Sequence, residues 1–268
     1  EHEWLHGISS SFELRGRHIS SNRYVPMILP DGRSLHGIND ASIRIGLRLS
    51  KDETIVRMPF EVRHMGSKYP IFSFDFTGAK RGVLPASYDY LRLEGRMQYR
   101  LNLPPIGYSQ LMLEGGKIFG KVPYLLLKLH EGNGTYFYDR YAFSCMNFYE
   151  FSSDAWISFF YEHHFNGFLL GRVPLLKKLN WREVFVFKGV YGTLSARNDG
   201  SLPNTKAVML FPVGMSSVEH PYLETGFGIE NIFRLLRVDC IWRLTHHRAV
   251  PGLSIPTFTV NFSLNLKF

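Results

Sequence analysis

The chain has two cysteines in 268 residues, no uninterrupted apolar run of 18 or more, and no cluster of basic residues. Each scarcity removes a class of protein. Cys145 and Cys240 each sit in an apolar or aromatic stretch without metal-type spacing, which favours two buried free thiols, with a single disulfide as the alternative, and gives no zinc site. Without a long apolar run there is no transmembrane helix to expect, and the mean hydropathy of −0.10 is that of a soluble chain. The 31 Lys and Arg outnumber the 23 Asp and Glu, for a net charge of +8. These cations are spaced singly instead of gathering into a patch, which argues against nucleic-acid binding. The opening "EHEWLHG" carries no basic region followed by an apolar one. An exported protein must carry such a leader, so the chain reads as a processed or C-terminal piece. With no repeat, low-complexity run or linker, residues 1–268 read as a single domain, incomplete at the N-terminus.

What is present is alternation. In the closing "FTVNFSLNLKF", Phe258, Val260, Phe262, Leu264, Leu266 and Phe268 share one parity, and Thr, Asn, Ser and Lys take the other. Successive side chains on a strand point to opposite faces, so the segment has one oily and one wet side. The same pattern opposes Ile43, Ile45, Leu47 and Leu49 to Arg44 and Arg48. It opposes Phe72, Phe74 and Phe76 to Ser73 and Asp75, and Leu91, Leu93, Met97, Tyr99 and Leu101 to Arg92, Glu94, Arg96, Gln98 and Arg100. Uniform alternation over strands of about ten residues, with charge on the wet side and 15% aromatic residues, fits an antiparallel transmembrane β-barrel better than a soluble sandwich. Its oily face is diluted by every second residue being polar, which is why mean hydropathy does not report it.

About twelve strands follow: 11–19, 40–50, 54–64, 70–78, 88–101, 107–118, 139–151, 155–166, 182–194, 222–231, 235–246 and 257–268. With the C-terminus on the periplasmic side, the long links 119–138 and 195–221 fall outside and "LPPIG" inside. Lipid leaves no room for an open sheet edge, so the strands must close on themselves or on strands missing from this chain.

An oily-alternate last strand ending in Phe resembles the insertion signal of bacterial outer-membrane barrels, carried here by Phe262, Leu266 and Phe268. "YLETGFGIENIFRLLRVDCIWRLTH" resembles the last hairpin of the BamA-like assembly-factor superfamily, through Gly226, Gly228, Leu236, Arg237 and Asp239. "GKIFGKVPYLLLKLHEGNGTYFYDRYAFSCMNFYEFSSD" and "FFYEHHFNGFLLGRVPLLKKLNWREV" resemble a Bacteroidota family of outer-membrane barrels with an upstream carboxypeptidase-regulatory-like domain. The resemblance spans roughly 40–268. It implies a sixteen-strand barrel of which this chain is the C-terminal part, and a role in outer-membrane or surface protein biogenesis. It also implies surroundings of outer-membrane lipid and lipopolysaccharide, and protein partners from an assembly machine. A non-catalytic structural barrel and a diffusion channel stand as alternatives. The superfamily folds an arginine-tipped outer loop into the lumen against acidic residues on the next two strands. Arg140, in "YDRYAF", and Glu162, in "FFYEHH", occupy the matching places; the second acidic position reads Lys188 here.

Other constellations carry two readings each. The basic strand faces, Arg44, Arg48, Arg92, Arg96 and Arg100 with Glu94, form either an anion path or a lumen filled by internal salt bridges. "FNGFLLGRVPLLKKLNW", with Arg172, Lys177 and Lys178, is a partner- or leaflet-facing periplasmic stretch or an ordinary turn. Adjacent histidines, His163–His164 and His246–His247, point to opposite faces and do not chelate, so neither a metal nor another cofactor is expected. Ser158 and His164 share a face but stand roughly 20 Å apart along a strand, and His18 has no partner, so no catalytic residue is assigned and the chain reads as no enzyme.

Overall fold

The computed structural model describes residues 2–5, 7–58, 61–83, 85–201, 205–248 and 253–264. Leu266 and Phe268 therefore lie outside the described residues. Strands predominate, and the described residues hold helix only as 3-10 turns at Tyr124–Leu126 and Leu170–Arg172 and one α-helical turn at Pro174–Lys177. Its strands are β1 (His2–Leu5), β2 (Ile8–Ser20), β3 (Gly37–Leu49), β4 (Glu53–Met58), β5 (Glu61–Ser67), β6 (Ile71–Ala79), β7 (Tyr90–Asn102) and β8 (Tyr108–Gly120). They continue as β9 (Lys128–Leu129), β10 (Phe151–Ser153), β11 (Ala155–His164), β12 (Arg182–Thr193), β13 (Ser216–Ser217), β14 (Tyr222–Ile232), β15 (Leu236–Arg243) and β16 (Phe258–Leu264).

Eleven of these form one antiparallel sheet in the order β1-β2-β3-β6-β7-β8-β11-β12-β14-β15-β16. Every strand pairs with the next member in sequence, as an up-and-down meander requires. Among the described residues no pairing joins β16 to β1 or β2, so the sheet is open where a closed barrel was expected. Links 21–36, 80–89, 121–154, 194–221 and 244–257 emerge at one end, the loop end. Links 50–70, 103–107, 165–181 and 233–235 emerge at the other, the turn end. Both 119–138 and 195–221 thus fall at the end opposite "LPPIG".

Two expected strands are corrected. The described residues of 54–64 do not join the main sheet; among them β4 and β5 pair with each other as a hairpin at the turn end. Of residues 139–151 only Phe151 is in a strand, β10 of a small separate sheet, and the rest lie in the long loop. The alternation there marks no two-sided environment, since Ala142, Phe143, Ser144, Cys145 and Met146 are all buried. Phe143, Cys145 and Met146 are buried there although no ladder holds them.

The two faces of the sheet show an inverted distribution. On the oily parity Phe12 is 64% exposed, Phe227 60% and Leu264 63%. On the polar parity Glu224 and Asp239 are 0% exposed and Glu162 and Lys188 1%. The core lies on the polar side, beneath the loops. Met112, Phe160, Val190 and Tyr222 of the strands meet Phe143, Met146, Phe151 and Val218. Nearer the loop end, Ile118 and Trp156 meet Met27, Val122, Tyr124 and Met209. A small sheet of β9, β10 and β13 ties the loops 121–154 and 194–221 to each other.

Candidate functional site

Glu162 stands on the polar parity of β11 with its side chain 2% exposed. A carboxylate buried that far must be paired or neutralised. Arg140, from the long loop, places Nε 2.9 Å from Oε2. The Tyr138 hydroxyl donates to Oε1. From β15, Arg237 approaches the two oxygens at 3.4 and 3.5 Å, and His164 Nε2 lies 3.4 Å away. Arg237 is held in turn by Asp239, two residues along the same face, with Nε–Oδ2 and Nη2–Oδ1 both 2.8 Å. Such a fork fixes the guanidinium in a plane. Opposite Asp239 in the ladder is Gly228, where an added Cβ would collide with the Asp239 carboxylate. The glycine makes room for the pair.

The remaining contacts hold the loop's backbone. Lys188, on β12, donates to the carbonyls of Asp139 at 2.7 Å and Ala142 at 2.6 Å. Where the resemblance implied an acid for the loop arginine, a lysine takes loop carbonyls instead. Its ammonium and the Arg237 guanidinium lie 4.5 and 4.4 Å from the centre of the Tyr138 ring, within cation–π range. Glu224, on β14, accepts from the Ser144 N–H at 2.8 Å, the Cys145 N–H at 2.7 Å and the Tyr222 hydroxyl at 2.6 Å. Arg243, on β15, reaches Glu150 at 2.6 Å and the Cys145 carbonyl at 3.2 Å. On β16, Asn261 donates to the Thr135 carbonyl at 3.1 Å. The backbone of Phe262 exchanges two 2.7 Å hydrogen bonds with Tyr136 and Tyr138, a parallel bridge on the outer edge of that strand. Five strands, β11, β12, β14, β15 and β16, thus grip one loop.

Burial, and then Glu224 nearby, pushes the Cys145 thiol up to about 12, so it is a poor nucleophile. Buried His130, absent from the sequence reading, sets Nε2 2.9 Å from Ser153 Oγ. Its burial, with Lys128 next, lowers its pKa to about 3. Ser158 and His130 share a small cavity of about 290 Å³ with Arg96, Glu114 and Lys128, yet His130 bonds Ser153 rather than Ser158. Among the described residues no group of three or more His, Cys, Asp or Glu is placed to hold a metal ion.

The charged strand faces are internally paired. Arg92 meets Glu94 at 2.6 Å, Arg96 meets Glu114 at 2.6 Å, and Arg44 meets Asp75 at 2.9 Å. Arg100 stacks over Tyr108 at 4.1 Å. His163 bonds Ser109 and the Ile106 carbonyl, while His246 bonds the His220 carbonyl. The His18 ring bonds Asn39. Nothing in local sequence announced Tyr138, whose partners are 24 residues away or more in the chain.

The up-and-down antiparallel sheet is similar in fold to a solved BamA structure. The structure of BamA from Haemophilus ducreyi lacking POTRA domains 1–3 superposes with a TM-score of 0.50 at 11% identity, over 89% of this chain and 45% of that one. The chain spans less than half the length of that relative. No curated protein is similar enough to match. Residues 9–196 match the model described as "Family of unknown function (DUF5686) C-terminal domain", and the chain belongs to that family.

Proposed function

We propose that the chain is the larger, C-terminal part of an integral outer-membrane β-barrel, and that it serves, without catalysis of its own, the insertion or export of outer-membrane or surface proteins alongside partner subunits. One observation carries the membrane reading: large apolar side chains cover the exposed face of the sheet, and on β11, β12, β14 and β15 the charges of Glu162, Lys188, Glu224, Arg237, Asp239 and Arg243 are buried on the other. In water that arrangement wastes the hydrophobic effect, whereas in lipid it is the expected one. Strands β7 and β8, at 13 residues each, are long enough to cross the hydrocarbon layer at a barrel tilt. The loop end then faces outward and the turn end faces the periplasm. The biogenesis role rests on the likeness to BamA in fold.

A platform for partner subunits is the second reading, favoured by the number of strands that fix the loop. A loop held at five strands suits a rigid surface better than a free path for solutes. Depletion of the protein in cells separates the two. Accumulation of unfolded barrel precursors in the periplasm supports biogenesis. Normal insertion of other barrels, with loss of a surface complex that co-purifies with this protein, supports the platform and overturns biogenesis.

A further inference from the structure

The turn-end link 165–181 is much longer than reversing the chain needs, since the next turn, 233–235, does it in three residues. It carries one 3-10 turn, Leu170–Arg172, and one turn of α-helix, Pro174–Lys177. Its sequence, "FNGFLLGRVPLLKKLNW", holds three cations and no acid. Leu169, Val173, Leu175 and Leu179 are exposed, Leu175 at 77%. Arg172 stacks over Phe168 at 4.0 Å, and Lys177 and Lys178 are exposed beside the leucines.

The link leans toward the oily side of the sheet. The Leu170 N–H donates to Glu183. Glu183 shares parity with Phe185 and Phe187, whereas Val184 and Val186 of the other parity are buried. An acid on the oily parity is thus covered by the backbone of this link. Asn231 ties the neighbouring turn to it through the Asn180 carbonyl at 2.7 Å. In that turn Phe233 and Arg234 hold φ of 51° and 67°, the left-handed region that residues other than glycine seldom adopt. Phe233 is left 87% exposed.

From this we infer that residues 168–179, with Phe233 and Arg234, form an interfacial anchor at the periplasmic rim: the apolar side chains enter the leaflet and the cations bind the phosphates of acidic phospholipid head groups. The inference rests on the membrane reading and extends it. Apolar side chains flanked by basic ones, continuous with an oily sheet face, are the composition that binds anionic bilayer surfaces. Uniform positive charge complements anionic lipid.

The test uses the full-length protein in vesicles, with nitroxide labels at Leu175→Cys, at Leu93→Cys and, as an aqueous control, at Glu131→Cys. Cys240→Ser leaves only the buried Cys145 among the native thiols of this chain. Collision with oxygen and with a water-soluble nickel complex reports depth. The expected result is a deep position 93, an interfacial position 175 in phosphatidylethanolamine–phosphatidylglycerol vesicles, and a shallower 175 in phosphatidylcholine. The variant R172Q/K177Q/K178Q should lose that lipid dependence. A water-exposed 175 with a deep 93 overturns the anchor alone. A 175 shielded from both reagents means that protein covers this face, and also overturns it. No difference between the two lipids overturns the head-group assignment. If 93 is itself water-exposed, the membrane reading fails.

Discussion

Removing Glu162 should release the long loop, and removing Arg140 should only loosen it. The two substitutions are unequal because of what each leaves behind. With Glu162→Ala, Arg140 loses its carboxylate at 2.9 Å, the Tyr138 hydroxyl loses its acceptor, and Arg237 keeps only Asp239. Breaking one side of a buried charge pair costs about 3–5 kcal/mol. With Arg140→Ala, Glu162 keeps Tyr138 and Arg237, and the arginine that leaves was 37% exposed and partly screened by solvent. That cost falls between the surface and buried cases, at about 1–2 kcal/mol. Proteolysis of a region that opens quickly and recloses tracks its opening equilibrium, and each ~1.4 kcal/mol is tenfold. Chymotrypsin added to intact cells should therefore cut at exposed Tyr136 or Phe137 roughly tenfold faster in Arg140→Ala and on the order of 10²–10³-fold faster in Glu162→Ala. Equal rates in the two variants, or the wild-type rate in both, would refute the reasoning, because Glu162 would then be no hub.

Leu93→Arg should cost about 2–4 kcal/mol if position 93 lies near mid-bilayer, while Arg92→Ala, which loses one 2.6 Å pair with Glu94, should be milder; thermal shifts of heat-modifiable folded protein measure both. The folded-state pKa of His130, about 3, is depressed below the ordinary value of 6.5, so the docked loop binds fewer protons than the undocked one between those values. Docking should therefore weaken as pH falls from about 6.5 toward 3, by at most about 1.4 kcal/mol per unit, and His130→Gln should flatten the slope of loop proteolysis against pH.

The meander was legible in the sequence wherever a strand has one oily and one polar neighbour. Side-chain parity on β3, β7 and β16 follows from the alternation alone, since a slip of one residue would bury every Phe and expose every Arg. The hairpin β4–β5 escaped because its alternation is as clean as that of a sheet strand, and partner choice is not a local property. The loop escaped because Phe143 and Cys145 alternate with small residues, Ala142 and Ser144, that are buried as well, so the pattern mimics a strand without its two-sided environment. Arg140 and Glu162 were singled out by resemblance to a superfamily, not by pattern. Their other partners, Tyr138 and Arg237, meet Glu162 across 24 and 75 residues, and no spacing rule reaches that far.

The grip on the loop also has an order in chain length. Tyr138 and Arg140 reach Glu162 across 24 and 22 residues, Lys188 reaches Asp139 across 49, and Glu224 reaches Ser144 across 80. Arg243 reaches Cys145 across 98, and Asn261 reaches Thr135 across 126. Each later strand of the meander thus finds its foothold on the same loop as it is made. Separations this large are slow to close when free, but every docked strand shortens the search for the next. The polar face of five strands is thus organised around a segment that belongs to no strand of the main sheet, and contacts nested in this order leave a shorter loop to close for each strand once the one before it has docked.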